Sequence, residues 1–226
     1  ITSTYQFLLS RFIISHPDRV QPHELVGFDL IYAASVTWAE TASARFGREV
    51  KPLLQATEPR RFYPRPPDER KGPEVLFVGN RRSEYQRPVG VGMALAAGEF
   101  DVGIYGGGWS QDAMPASVVR GEFVPNEELP QYYSGAKVVM NDHFPTMHAA
   151  GIINNRIFDA LACGTPVLTD EVPGASEVLG DRVLWDDSHT DIPDVLRRYF
   201  AAPWAEEDRA KIVEWTHANH SFDARV

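Results

Sequence analysis

Three polar side chains, Asn154, Asn155 and Arg156, stand together in the stretch GIINNRIFDALACGTPVLTD, residues 151–170. They sit at the mouth of an apolar helical pattern, in which Ile153, Ile157 and Leu161 repeat every four residues and form a stripe that can pack on a sheet. The first turn of such a helix presents unpaired backbone N–H groups and a partial positive charge, a natural seat for a phosphate. Arg156 would add a charge-assisted bond. The same residues also permit a plainer reading: Asn154 caps the helix, Asn155 is exposed, and Asp159 is a surface carboxylate.

Further candidates follow the ends of other apolar runs. In GNRRSEYQR, Asn80 closes a run, and Arg81, Arg82 and Arg87 either reach a diphosphate or form a solvated basic patch. The dinucleotide fingerprint G-x-G-x-x-G and the P-loop lysine motif are both absent. YGGGW, residues 105–109, either lets a ligand approach the backbone or is a turn, and the turn is favoured for Gly106 and Gly107. In NDHFPTMHAAG, His143 and His148 are candidates for acid–base work, or are structural or exposed histidines. In DEVPGASE, Gly174 precedes Glu177, which either accepts bonds from ribose hydroxyls or belongs to an ordinary helix start. SHPD, residues 15–18, either points into a cleft or makes a turn.

The elements that must position these groups read as two α/β blocks. In the first, strands over 11–18, 28–35 and 50–56 alternate with a helix from Val36 that Gly47 stops. Residues 57–73 carry five prolines among many charges and read as an extended linker. The second block opens with EVLFVGN, a continuous apolar strand of the kind buried on both faces of a parallel sheet. A helix over about 84–97 follows, then a strand in 100–109, a short strand GEFVP at 121–125, and a helix over 126–136 with Asn126 as N-cap. The strand KVVMNDH leads into the opening stretch and its strand PVLTDE. A short helix GASEVLG, a last strand DRVLWDD, and helices at about 190–200 and 205–219 complete the chain. Ligands of doubly wound sheets lie beyond the carboxyl ends of the strands. Here those ends are GNRR, GGGW, NDH and TDEVPG, all polar or glycine-rich.

Composition bounds the function. The 226 residues include 22 Lys and Arg against 31 Asp and Glu, a net charge of −9, which argues against general nucleic-acid binding. With 43% hydrophobic residues and no apolar run long enough for a membrane span, the expectation is a soluble globular protein. Cys163 is the only cysteine, so a disulfide framework is ruled out, a zinc site is not expected, and a cytoplasmic location is the simplest expectation. The first residue is Ile1, as expected of a processed or excised piece.

FVGN, GEFVPNEELPQYYSGAKVVMN and GIINNRIFDALACGTPVLTDEVPGASE together resemble the glycosyltransferases related to the spore maturation protein CgeB. More distantly, they are similar to the group-1 glycosyltransferases of the GT-B fold. SHPD, YAAS and LLQATEPRRFYP resemble that family's amino-terminal domain end and linker. The resemblance implies a Rossmann-like parallel sheet forming the carboxy-terminal half of a GT-B fold, behind a shortened amino-terminal α/β portion. The implied division is an acceptor-side portion with linker at 1–66, a nucleotide-sugar-binding domain at 67–203, and a crossing helix at 204–226. It implies a hexosyl-type transferase that uses a nucleotide-diphosphate sugar as donor substrate, with neither cofactor nor metal. The acceptor is left open between glycan, lipid-linked sugar, protein and small molecule. Backbone around Asn154–Arg156 would meet the diphosphate, Asp159 falls where the wider group places a ribose-holding glutamate, and Glu177 lies in a motif near the donor. In two respects the sequence departs from the pattern. Gly151 stands where the wider group has a sugar-contacting glutamate, leaving sugar contact to Asn155 or His148. The first block is short, so a complete enzyme is expected to carry more strands and its acceptor site ahead of Ile1.

Overall fold

A computed structural model describes residues 11–14, 20–81, 87–109, 114–186 and 191–225. SHPD at 15–18 and Arg82 lie outside the described residues. The described strands fall into two sheets, each parallel throughout. The smaller has order β1-β2-β3, from β1 (Arg11–Ile14), β2 (Leu30–Ala33) and β3 (Lys51–Pro52). Helix α1 (Val36–Phe46) joins β2 to β3. The Ser35 hydroxyl caps it by accepting from Trp38 N at 3.1 Å, and Gly47, at φ 62°, ends it in the left-handed conformation that glycine adopts without strain. Ile31, Ala33, Ala39, Ala42 and Val50 form the core of this unit.

The larger sheet has six strands in the order β6-β5-β4-β7-β8-β9. These are β4 (Val75–Val78), β5 (Val102–Tyr105), β6 (Val119–Gly121), β7 (Val138–Met140), β8 (Val167–Thr169) and β9 (Leu184–Trp185). Alternation along β4 explains its unbroken apolar sequence. Val75 and Phe77 enter a core with Met93, Ile104, Trp109 and Leu196, while Leu76 enters another with Ile157, Phe158, Leu161 and Val167. On the first face lie α2 (Pro88–Ala96) and α7 (Ile192–Ala201); on the second lie α3 (Leu129–Gly135), α5 (Asn155–Ala162) and α6 (Ala175–Leu179). Helix α8 (Glu206–His220) packs over α5, with the His220 ring stacked 4.6 Å from Phe158.

Several boundaries differ from the sequence expectation; the strand expected over 50–56, for one, is only Lys51–Pro52. The strand expected at 121–125 sits at Val119–Gly121, because Ile104 and Tyr105 pair with Val119 and Gly121, and Pro125 turns the chain by accepting from Glu128 N at 2.9 Å. The next helix starts at Leu129 with Glu128 at its N-cap position, two residues later than Asn126 would set it. Pro130 falls in the first turn, where a missing N–H costs nothing. The loop expected after His143 contains a short helix, α4 (Pro145–Ala149), again started by a proline. Among the described residues no helix is long and apolar enough to cross a membrane.

Candidate functional site

The carboxyl ends of β4, β7 and β8 meet the first turn of α5, and a polar network joins them. Asn141, just past β7, is 1% exposed. Its Nδ2 donates to Thr169 Oγ1 at 2.9 Å, and its Oδ1 accepts from Asn154 Nδ2 and from an Arg156 terminal nitrogen, both at 2.7 Å. Arg156 Nε also donates to the carbonyl of Val78 at 3.0 Å, and the guanidinium lies over the Phe77 ring, 4.7 Å from its centroid. A Cβ at Gly79 would stand 2.8 Å from this guanidinium, so the glycine leaves it room. Burial lowers the pKa of Arg156, yet an arginine starts so high that it stays charged at neutral pH. Arg156 thus fixes a positive charge at the ends of two central strands.

His143 holds the same helix from the other side. Its Nδ1 lies 2.8 Å from Asp170 Oδ1, and its Nε2 accepts from Asn154 N at 3.4 Å. Accepting at Nε2 leaves the proton on Nδ1, which then donates to the carboxylate. Asn154 occupies the N-cap position of α5, but its side chain makes no cap bond. Its Nδ2 turns to Asn141 instead, and its Oδ1 is buried without a partner among the described residues. Asn155 is exposed; its N–H donates to Gln55 Oε1 at 2.6 Å and its Nδ2 to Asp159 Oδ2 at 3.2 Å. Asp159 is 5% exposed, and its Oδ1 also accepts from Thr57 Oγ1 at 2.7 Å. Loss of water raises its pKa to about 6, against the bonds from Thr57 and Asn155, which lower it.

The remaining candidates are distributed around this network. Asn80 is exposed; its Oδ1 accepts from Gly107 N at 2.8 Å, and Arg81 N donates to the Gly107 carbonyl at 2.9 Å. The glycine loop serves packing: a Cβ at Gly106 would lie 2.1 Å from the Gly79 carbonyl oxygen. Arg87 is 4% exposed, so it is not part of a solvated patch. It forms an ion pair with Asp142, donates to the Asn80 carbonyl at 3.0 Å, and lies over Phe77 and Phe144. His148 is exposed on α4. Gly174, at φ 81°, is the N-cap of α6, and Glu177 is exposed in that helix's first turn. Both lie on the carboxyl side of β8, with the Thr37 methyl 3.2 Å from a Cβ placed at Gly174.

At Gly151 the first unit packs close against the second. A Cβ there would meet Pro173 O at 2.5 Å, Thr37 Oγ1 at 2.6 Å and Ser35 Oγ at 3.0 Å, and its φ is 65°. No larger side chain fits, which is the physical reason a glutamate cannot stand at this position. Gln55, Thr57, Asn141 and Asp170 escaped the sequence reading. The two past β7 and β8 lie in the strand ends NDH and TDEVPG and were findable there; Gln55 and Thr57 sit in a stretch whose apolar and proline character hid them. Two cavities, of about 130 and 280 Å³, lie at the opposite ends of the strands, one lined by Thr165 and Arg209, the other by Lys137 and Trp204.

The arrangement is similar to known structures. The sucrose-phosphate synthase of Thermosynechococcus elongatus is 18% identical, with 90% of this chain and 57% of that chain covered at a TM-score of 0.66. The Anabaena protein Alr3699/HepE, solved in complex with UDP-glucose, is 13% identical, with 95% and 69% covered at 0.71. A UDP-forming α,α-trehalose-phosphate synthase from Burkholderia xenovorans is 12% identical, with 95% and 66% covered at 0.62. These likenesses establish the fold, GT-B, of which this chain spans somewhat more than half. No curated protein matches the chain. A family model described as glycosyl transferase-like matches residues 91–226, more than half of the sequence and all of α5 through α8. By that match the chain belongs to the glycosyl transferase-like family.

Proposed function

We propose that the chain binds a nucleotide-diphosphate sugar across the first turn of α5 and serves transfer of its sugar to an acceptor hydroxyl. The observation that carries this reading is the placement of Arg156 and the Asn154–Asn155 amides at the carboxyl ends of β4 and β7. That is where parallel sheets receive ligands, and where a helix end and a fixed cation attract a pyrophosphate. Structures of the similar Anabaena protein Alr3699/HepE in complex with UDP and UDP-glucose add support from outside the chain.

In this reading the helix end and Arg156 offset charge growing on the departing diphosphate. Asp159 and Glu177 are the carboxylates for donor hydroxyls, and Asn80, Arg81 and Gly174, at the carboxyl ends of β4 and β8, are further donor-side candidates. Arg87, paired with Asp142, supports the strand end from below. His143 is a positioning residue, since both ring nitrogens engage the protein, and exposed His148 is the acid–base candidate. The finer resemblance to CgeB-related enzymes and a cytoplasmic location belong to the same proposal. Thermal unfolding with UDP, GDP, dTDP and ADP should raise the midpoint with one of them, because a ligand of the folded state stabilises it by mass action. Arg156→Ala should then weaken that nucleotide roughly 10- to 100-fold by calorimetry, the scale of a hydrogen bond to a charged group. Unchanged affinity would remove the site assignment.

A second reading, a donor-binding module without turnover of its own, is favoured by coverage: the chain spans 57% of the synthase and 69% of Alr3699/HepE. Donor hydrolysis or transfer by the purified chain, once binding is shown, separates the two.

A further inference from the structure

The segment that leaves the small sheet crosses the first turn of α5 and is tied down on every side. Gln55 Oε1 accepts from Asn155 N at 2.6 Å, and the Gln55 carbonyl accepts from Arg225 at 3.3 Å. Two residues on, Thr57 Oγ1 donates to Asp159 at 2.7 Å, Thr57 N donates to the His220 carbonyl at 2.9 Å, and Phe222 N donates to the Thr57 carbonyl at 3.1 Å. The chain's carboxy-terminal end therefore holds residues 55–57 against the face of α5 where the donor is proposed to sit.

We propose that Gln55 is an internal competitor for the donor diphosphate, an autoinhibitory latch that must release Asn155 before a phosphate oxygen can take its amide. The inference rests on the donor-binding reading above and adds how that site is regulated. A backbone N–H holds one strong acceptor at a time in this geometry, and here the acceptor is a neutral side-chain amide. A phosphate oxygen is charged and bonds about twice as strongly, so it can displace the amide, at the cost of the bond it breaks. The closed arrangement is also imperfect: the adjacent Asn154 Oδ1 is buried with no partner among the described residues, a state that rearrangement of the turn relieves.

The latch makes a prediction opposite in sign to that for a ligand contact. Calorimetry on the full chain, with UDP as probe and GDP, ADP and dTDP in parallel, should show Gln55→Ala binding the preferred nucleotide about 3- to 10-fold more tightly than wild type, as one neutral hydrogen bond of competition is removed. Gln55→Glu places a carboxylate at the same amide and should bind at least about tenfold more weakly, with the deficit shrinking in high salt. Equal or weaker binding by Gln55→Ala, with wild type binding, overturns the latch and leaves the donor site standing. Failure of all four nucleotides to bind either protein overturns the donor reading and the latch with it.

Discussion

At the scale of single residues, two buried titrating groups pull stability in opposite directions. Asp159 has its pKa raised from 3.8 to about 6 by burial, so its contribution is present below 3.8 and lost as pH rises through 6. His220, desolvated between Phe158 and Trp215 and facing Arg225, is lowered from 6.5 to about 4. Its contribution is present above 6.5 and lost as pH falls through 4. Between about pH 4 and 6 the two oppose each other. Asp159→Asn removes one, so its unfolding free energy should fall more steeply than wild type on acidification from pH 6 to 4, measured by denaturant titration; parallel profiles would refute the assignment. Gly106→Ala should cost roughly 1–3 kcal/mol in the same assay, since its Cβ would enter the Gly79 carbonyl. Cys163, buried and pushed up to about 12 chiefly by desolvation, should resist iodoacetamide at pH 8 until the chain is unfolded. The polar trio 154–156 was legible in the sequence because it interrupts an apolar pattern. Gln55 was not, because its partner Asn155 lies 100 residues away and no local pattern marks it.

At the scale of elements, apolar periodicity located the central strands and α5, whose Ile157 and Leu161 are buried as the stripe implies. Proline positions decided the boundaries that periodicity missed: Pro130 moves the start of α3, and Pro145 starts a helix too short to show a period. Arg87 reads in sequence as one more loop cation, yet it binds β4 to the end of β7 through Asp142. Asp142→Ala should therefore destabilise by about 3–5 kcal/mol, the usual cost of stranding a buried charge. A loss below about 1 kcal/mol would mean that water reaches the guanidinium.

At the scale of the whole molecule, two parallel α/β blocks were legible from alternating strand and helix patterns. What the patterns could not convey is how the two units touch. Ser35 and Thr37 close on Gly151, and residues 55–57 are sewn to the end of α8. These contacts join the small sheet, α5 and α8 at the edge of the proposed donor site, so occupancy there and the seating of residues 55–57 should be linked. The most direct test of the account is an amide-resolved NMR titration of the chain with UDP and the other nucleoside diphosphates. The account predicts that the Asn155 and Arg156 amides shift first and furthest, with Gln55 following. Shifts confined to the cavities near Lys137, Thr165 and Arg209, with the first turn of α5 unmoved, would contradict it.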